Sequence, residues 1–323
     1  MNEPDALPGA LADWLRRQGC RDGTLAALAG DVSLRRYFRV ARGEGTAILA
    51  FYPAEIAETM RRFDVATRLL EAAGVPVPRI LAQDERLGVM LVEDFGGRTL
   101  YDLALDWPRV APYFAAAAEI VERLRGIDPV PVAALNPPLG ASLLERELEK
   151  TREFFLEPRG LLAAAGDSAA WSQFAAELCA RLAGVQPVPC HRDFMARNLV
   201  PLEGGGVAVL DHQDLRLGPP AYDLASLLND SLFPPPEIEE PLLERAGFAA
   251  GAARLDYHRA AVQRGLKAVG TFAAFAQRGS TRHLPLVAPT GARALRNLAA
   301  LPERDFLPAA LRARLAEAFC YTD

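Results

Sequence analysis

One polar segment of the sequence carries residue types and spacings that suit phosphoryl transfer. It reads His-Arg-Asp-Phe-Met-Ala-Arg-Asn over residues 191–198, and an apolar stretch further on ends at Asp211. Phosphoryl transfer needs a carboxylate that accepts the proton of the attacking hydroxyl, and Asp193 on a loop tip can do so. It also needs hard oxygen ligands for the Mg²⁺ bound to nucleotide phosphates, which Asn198 and Asp211 can supply. The alternative interpretation is an ordinary strand–loop–strand unit in which these side chains only cap turns.

Several other chemistries are excluded by what the sequence lacks. It contains no Gly-Lys pair, hence no P-loop, and no Gly-x-Ser-x-Gly nucleophile elbow. Its four histidines are too dispersed to predict a metal cluster, and its formal net charge of −5 argues against a nucleic-acid partner. There is no run of about 18 uncharged apolar residues to predict a membrane span, and no signal peptide pattern at the start. The four cysteines lie far apart and indicate reduced thiols, so we expect a cytoplasmic protein.

The elements that must position the polar segment fall into two parts. Over residues 1–95, short apolar runs broken by glycine-containing turns predict a small sheet with an N-terminal helix and one main helix at 54–73. After Gly96-Gly97 the sequence is mostly helical, with 188–230 as a region of loops and strands. We expect the later helices at 109–126, 141–157, 168–183, 237–250, 256–278, 289–301 and 307–319. The sequence therefore predicts an α+β fold with an N-terminal lobe over 1–95 and a catalytic lobe over 96–323.

The polar segment also carries a family resemblance. CHRDFMARNLV at 190–200 and VLDHQD at 209–214 make the chain similar to the aminoglycoside phosphotransferase and choline kinase superfamily. Three more stretches, SLRRYFRV at 33–40, LVEDFGG at 91–97 and DHQDLRLGPPAYDLASLLND at 211–230, resemble the kinases that act on the anomeric hydroxyl of N-acetylmuramate and N-acetylglucosamine in cell-wall recycling. The resemblance covers essentially the whole chain. It implies a bilobal, protein-kinase-like fold, with a small antiparallel sheet and one main helix before a large helical lobe, and the use of ATP and Mg²⁺.

The resemblance also implies roles for individual residues. His191 supports the catalytic loop by hydrogen bonds. Asp223 ties the same loop down, although a carboxylate at that place is also a plain helix N-cap. Glu93 and Phe95 lie in the hinge, where the Glu93 carbonyl and the Phe95 N–H are expected to bind adenine. The alternative for the hinge is a simple acidic turn at a strand end.

The phosphate-binding hairpin of the resemblance departs from the protein kinases. Protein kinases hold the α- and β-phosphates with a lysine on the third strand, but this chain has no lysine before Lys150. Arg35 and Arg36 are the candidates to replace it, because guanidinium groups suit phosphate; the alternative is that they are solvated strand arginines. The missing lysine also leaves open a non-catalytic nucleotide-binding relative.

The charge of the late helices predicts the acceptor class. Residues 252–302 contain eight basic residues and one acid, a net charge of +7, and in this superfamily the late helices line the acceptor side of the cleft. Aminoglycosides are polycations that favour acidic walls, so basic walls favour an acceptor with a carboxylate, such as N-acetylmuramate. Arg259, Arg264 and Lys267 are the candidate acceptor-binding residues, and the alternative is a solvated basic face.

The sequence therefore predicts an ATP- and Mg²⁺-dependent kinase that phosphorylates the anomeric hydroxyl of an N-acetylated amino sugar. The alternatives are a phosphotransferase for aminoglycosides, choline or homoserine, and the non-catalytic relative. We expect a small-molecule sugar as the partner, with no nucleic acid and no membrane, and the oligomeric state is left open.

Overall fold

A computed structural model describes residues 9–21, 25–28, 35–103 and 106–320 of the 323-residue chain. The chain divides into two compact units. The first comprises Met1–Gly97 together with Ala208–Asp214, and the second comprises Arg98–Val207 and Leu215–Asp323. The short segment Ala208–Asp214 thus belongs to the first unit, although the chain on both sides of it belongs to the second.

The first unit is built on a sheet of five antiparallel strands. They are β1 (Ala26–Leu28), β2 (Arg36–Arg42), β3 (Gly45–Phe51), β4 (Ile80–Asp84) and β5 (Val89–Glu93). Their order across the sheet is β1-β2-β3-β5-β4. Helix α1 (Gly9–Arg17) precedes the sheet in the chain, and α2 (Ala57–Ala72) connects β3 to β4.

The two helices of this unit cover opposite faces of the sheet. Successive side chains along a strand point to opposite faces, so neighbouring residues of β3 join different cores. Leu49 packs in a cluster with Trp14 of α1, whereas Ala50 packs in a second cluster with Phe63 of α2. All four side chains are buried, and burial of a large apolar side chain stabilises the fold by roughly 1.5–3 kcal/mol.

The second unit is mainly helical. Its helices are α3 (Trp107–Arg125), α4 (Pro129–Ala133), α5 (Ala141–Thr151), α6 (Asp167–Ala183), α7 (Tyr222–Asn229), α8 (Pro236–Arg245), α9 (Gly251–Gln277), α10 (Val287–Leu298) and α11 (Ala309–Cys320). The 27-residue α9 packs against α5, α7 and α10. At Gly270 the backbones of α9 and α5 approach so closely that a Cβ atom would lie 2.5 Å from the Thr151 nitrogen. Glycine is therefore required at this crossing.

Four short strands lie in the polar region between α6 and α7. They are β6 (Val188–Cys190), β7 (Leu199–Pro201), β8 (Val207–Val209) and β9 (Arg216–Gly218). Strand β6 pairs with β9 in antiparallel register, so that Cys190 lies opposite Arg216. The polar segment at 191–198 begins where β6 ends.

The predicted α+β fold class is confirmed. Helix α4 (Pro129–Ala133) was not expected, and two further elements differ from the prediction. The helix expected at 237–250 ends earlier, at Arg245, because Gly247 and Gly251 adopt positive φ angles of 81° and 64° and separate α8 from α9. Helix α7 lies inside the region that we expected to contain only loops and strands. All eight of its residues are buried, so its sequence lacks the one-sided apolar periodicity that marks a surface helix. Among the described residues, we find no helix with the length and apolar character needed to cross a lipid bilayer.

Candidate active site

The loop after β6 is held in place by a buried carboxylate. Asp223, in the first turn of α7, accepts hydrogen bonds from the main-chain N–H groups of His191 (2.6 Å) and Arg192 (2.9 Å). Arg192 has a φ of 78°, a left-handed conformation that residues other than glycine seldom adopt. The His191 ring is buried and meets Phe194 edge to face at 5.8 Å. These contacts fix the direction in which the loop leaves the strand.

Asp193, the next residue of the loop, lies between two cations from α9. Its Oδ1 atom is 3.1 Å from Arg264 Nη2 and 3.3 Å from Lys267 Nζ. Burial by itself raises the pKa of Asp193, but the charges of Lys267 and Arg264 hold that pKa well below its usual range. The carboxylate is therefore ionised at neutral pH. The Asn198 amide donates a hydrogen bond of 2.9 Å to the Asp193 carbonyl and closes the loop.

A second carboxylate, Glu147 of α5, joins the loop to α9. Its Oε1 atom is 2.8 Å from Arg192 Nη2 and 3.2 Å from Lys267 Nζ, and Gln263 donates to its Oε2 at 3.1 Å. Burial raises the pKa of Glu147, whereas the charges of Lys267 and Arg192 lower it, and the lowering prevails. Lys267 thus bridges two carboxylates, one of which is the candidate base.

The sequence patterns did not single out Glu147 or Arg192. Glu147 shares a buried face of α5 with Leu144 and Leu148, so its place on an apolar stripe was the available signal. Arg192 carried no local signal, because its partner Glu147 lies 45 residues away in the sequence.

Asp211 belongs to the first unit and has an unusual backbone. Its φ is 60°, again in the left-handed region, which Asp tolerates better than most residues. Arg35 Nη2 lies 3.0 Å from Asp211 Oδ1, and Gln213 Nε2 donates to the same oxygen at 2.9 Å. The Arg35 guanidinium also lies over the ring of Tyr37, 5.6 Å from its centroid. The structure therefore brings together two residues that the sequence assigned separately to phosphate and to metal.

The other hairpin arginines lie in different surroundings. Arg36 is exposed, with its guanidinium 5.3 Å from the ring centroid of Phe51. Arg39 binds Asp94 through two hydrogen bonds of 2.5 and 3.0 Å. Arg35 is thus the hairpin arginine that contacts a predicted site residue, and alternation along the strand could not identify it in advance.

The predicted hinge follows β5 directly. Glu93 ends the strand, and its carboxylate accepts a hydrogen bond of 3.0 Å from the Arg79 side chain. Asp94 accepts a hydrogen bond of 2.9 Å from the Gly96 N–H, which shapes the turn around the half-buried Phe95. The assignment of the Glu93 and Phe95 main-chain groups to adenine stays a prediction.

The basic segment 252–302 is largely paired with acids that lie elsewhere in the sequence. Arg264 and Lys267 contact Asp193, as described above. Arg259 binds Glu303 at 2.7 Å and Asp256 at 2.9 Å, and its side chain is only 10% exposed. The remaining pairs are Arg254 with Glu240, and Arg293 and Arg296 with Glu239. The acceptor role of Arg259 stays a prediction, while Arg264 and Lys267 lie beside the candidate base.

Sequence comparison identifies relatives over most of the chain. Residues 24–262 match the family described as the phosphotransferase enzyme family. The N-acetylmuramate/N-acetylglucosamine kinase of Pseudomonas aeruginosa is 33% identical over 80% of this chain and 79% of its own length. The protein of the same name from Pseudomonas putida is 34% identical over 81% of this chain and 80% of its own length.

Solved structures agree with the fold. The choline kinase LicA from Streptococcus pneumoniae superposes with a TM-score of 0.59 at 16% identity, over 91% of this chain and 99% of its own. An ADP-bound aminoglycoside phosphotransferase superposes with a TM-score of 0.63 at 14% identity, over 97% of this chain and 99% of its own. The predicted resemblance, and with it the prediction of a phosphotransferase enzyme, is confirmed. The chain belongs to the phosphotransferase enzyme family.

Proposed function

We propose that the protein is a kinase that transfers the γ-phosphoryl group of ATP to the anomeric hydroxyl of N-acetylmuramate and N-acetylglucosamine. The observation that carries the proposal is the ionised Asp193, held between Arg264 and Lys267 in a loop that ends at Asn198. The names of the relatives supply the acceptors. Such a reaction would return cell-wall sugars to use in the cytoplasm, where ATP is present.

Asp193 acts as the base in this proposal. It accepts the proton of the acceptor hydroxyl as the oxygen attacks the phosphorus atom. The neighbouring cations make it a weak base, because they stabilise its charged form. An anomeric hydroxyl suits a weak base, since the ring oxygen on the same carbon withdraws electrons and makes this hydroxyl more acidic than an ordinary alcohol. His191 and Asp223 support the base by fixing the loop.

The remaining site residues bind the nucleotide in this proposal. Asn198 and Asp211 each offer one hard oxygen, which suits Mg²⁺ because that ion keeps several waters and phosphate oxygens among its ligands. Among the described residues, no cluster of three or more His, Cys, Asp or Glu side chains could hold a metal, and Mg²⁺ bound with nucleotide does not require one. When bound, the ion supplies charge neutralisation at the phosphates. Arg35 contributes the cation that the missing lysine would have supplied, and Glu93 and Phe95 bind adenine through their main-chain groups.

The charges around Asp193 support a neutral or anionic acceptor. Arg264 and Lys267 contact Asp193, and Arg192 and Lys267 contact Glu147, so each of the two carboxylates has two cationic neighbours. A polycationic aminoglycoside would meet repulsion there, and like-charge contacts lower both the association rate and the affinity.

An acceptor screen tests the proposal. The purified protein is incubated with ATP, Mg²⁺ and one of five acceptors: N-acetylmuramate, N-acetylglucosamine, kanamycin, choline or homoserine. We expect turnover of the two amino sugars and a ³¹P–¹H correlation between the product phosphorus and the anomeric proton. The Asp193→Asn variant measures the background hydrolysis of ATP. Phosphate on the 6-hydroxyl, or turnover of kanamycin with neither amino sugar, would contradict the assignment, and ATP binding without any turnover would favour the non-catalytic alternative.

A further inference from the structure

The loop over residues 191–198 contains a second arginine, whose surroundings differ from those of Arg192 in the same loop and of Arg264 on α9. Arg197 lies between Asp193 and Asn198 in the sequence, in the short 3-10 helix that ends the loop. Its guanidinium carbon is 4.4 Å from the ring centroid of Tyr101 and 5.9 Å from that of Phe272. The charged group is thus held between two aromatic rings rather than by an acid.

Arg197 has no carboxylate partner among the residues that the structure describes. Its Nη2 atom is buried and makes no hydrogen bond to the protein. By contrast, Arg192 is paired with Glu147, and Arg264 is paired with Asp193. Buried donors of folded proteins are almost always bonded, and leaving one unbonded costs about 1–3 kcal/mol. In the loop that carries Asp193, such a donor is a candidate contact for a polar group of the acceptor.

The aromatic neighbours indicate which ligand supplies that group. Phe272 belongs to α9, the helix that also supplies Arg264 and Lys267 to Asp193. The Arg197 guanidinium and the Asp193 carboxylate therefore contact the same helix. Phe272 is buried and stacks on His283 at 5.1 Å, which fixes its ring, whereas Tyr101 is 37% exposed. The apolar faces of sugar rings pack well on exposed aromatic rings, and a guanidinium binds a carboxylate by charge-assisted hydrogen bonds. The combination therefore suits a sugar that carries a carboxylate.

We infer that Arg197, oriented by Tyr101 and Phe272, is the residue that binds the lactyl carboxylate of N-acetylmuramate. The inference rests on the proposed function and refines it: the carboxylate is bound by Arg197 and not by Arg259, Arg264 or Lys267, whose charges are already matched by acids of the protein. N-Acetylglucosamine lacks the carboxylate and does not use this subsite. Arg197 is therefore a specificity residue, while Arg264 and Lys267 act through the base on every acceptor.

Kinetics with the two sugars test the inference. We expect Arg197→Gln to lower kcat/KM for N-acetylmuramate by about 10- to 100-fold, the usual effect of losing a charge-assisted, bidentate contact. For N-acetylglucosamine the same variant should stay within about 3-fold of the parent protein, since that sugar presents no anion. The matched control is Arg278→Gln, which removes an exposed arginine at the end of α9 and should leave both sugars unchanged.

Every result of this comparison either supports or overturns the assignment of Arg197 to the carboxylate. Equal losses for both sugars, or no loss for either, would overturn the inference, because Arg197 would then act on phosphoryl transfer in general or not at all. If the parent protein turns over neither sugar, the proposed function fails first, which the acceptor screen shows separately.

A second measurement does not depend on the folding of a variant. With the parent protein, the amide of N-acetylmuramate should lose the same 10- to 100-fold relative to the acid, and equal turnover of amide and acid would refute a carboxylate subsite.

Discussion

Replacing Lys267 by methionine tests whether the cations on α9 set the basicity of Asp193. Lys267 Nζ lies 3.3 Å from Asp193 Oδ1, and the two side chains are only 11% and 24% exposed. Two unit charges at about 4 Å interact by about 4 kcal/mol at an effective dielectric constant of 20, which corresponds to about 3 pK units. Arg264 remains beside Asp193, and water that enters the space of the ammonium group weakens the effect. We therefore expect the pKa of Asp193 to rise by about 1–2 units.

The sign of the effect follows from the role of the carboxylate. Asp193 must be ionised to accept a proton, and Lys267 and Arg264 keep it ionised as the pH falls. Removing one cation raises the pKa, so activity should be lost at a higher pH. The acid limb of kcat/KM against pH for Lys267→Met should lie about 1–2 units above that of the parent protein.

The assay compares the two limbs with N-acetylglucosamine as the acceptor. ATP and the sugar titrate identically in both proteins, so a displacement between the limbs belongs to the enzyme. The chain offers a matched control, because Lys150 is its only other lysine and is exposed on α5. Lys150→Met should leave the acid limb in place. Because the ATP phosphates titrate at higher pH than Asp193, the pKa is also read from the pH dependence of the Asp193 carboxyl ¹³C signal. An equal midpoint in Lys267→Met and the parent protein would refute the reasoning that this ammonium group tunes the base.

Three further predictions concern the other site residues. Asp193→Asn should keep nucleotide affinity but lower kcat by about 10²–10⁴, the usual effect of removing a positioned base, and single-turnover rates close to those of the parent would exclude the role. Asp211→Asn should raise the Mg²⁺ concentration needed for ATP binding more than Asn198→Ala does, because it removes a charge, whereas the second change removes only a neutral oxygen; a Mg²⁺ titration with an unchanged midpoint in Asp211→Asn would remove that residue from the site. Arg35→Gln should raise the KM for ATP by about 10-fold and spare the KM for the sugar, while the exposed Arg36→Gln should change neither. An unchanged KM for ATP in Arg35→Gln would remove this residue from the phosphate site.

The local part of the site could be predicted from the sequence because spacing encodes it. Asp193 and Asn198 lie five residues apart in one loop, and the hydrogen bond from the Asn198 amide to the Asp193 carbonyl needs no distant element. Strand β3 was predicted from its short apolar run next to a glycine-containing turn, and the distribution of its side chains between two clusters became apparent only in the structure. The family resemblance then supplied the fold class.

The charge partners could not be predicted in the same way. The net charge of +7 over 252–302 indicated a basic face, but most of the acids that neutralise it lie outside this segment. Arg259 meets Glu303 across 44 residues, and Lys267 meets Asp193 across 74. A charge count within one segment cannot include such partners, so it overestimates the free positive charge of a helix. Arg197 was also missed, because only the folded chain shows that its neighbours are the aromatic rings of Tyr101 and Phe272.

The membership of Ala208–Asp214 in the first unit has a consequence for synthesis on the ribosome. His212 is fully buried in this unit, with Nε2 2.7 Å from the Thr67 hydroxyl and its ring 4.3 Å from Phe63, and the Val209 N–H donates to the Pro76 carbonyl at 2.8 Å. All five strands of the sheet have been synthesised once Gly97 emerges. The segment Ala208–Asp214, which packs against α2, exists only after residues 98–214 have also been synthesised. At about 5–20 residues per second this delay lasts roughly 6–23 s. During that time the face of α2 around Phe63 is incomplete, so a fragment that stops at Gly97 should aggregate or recruit a chaperone, whereas a chain released after residue 214 carries every segment of this unit.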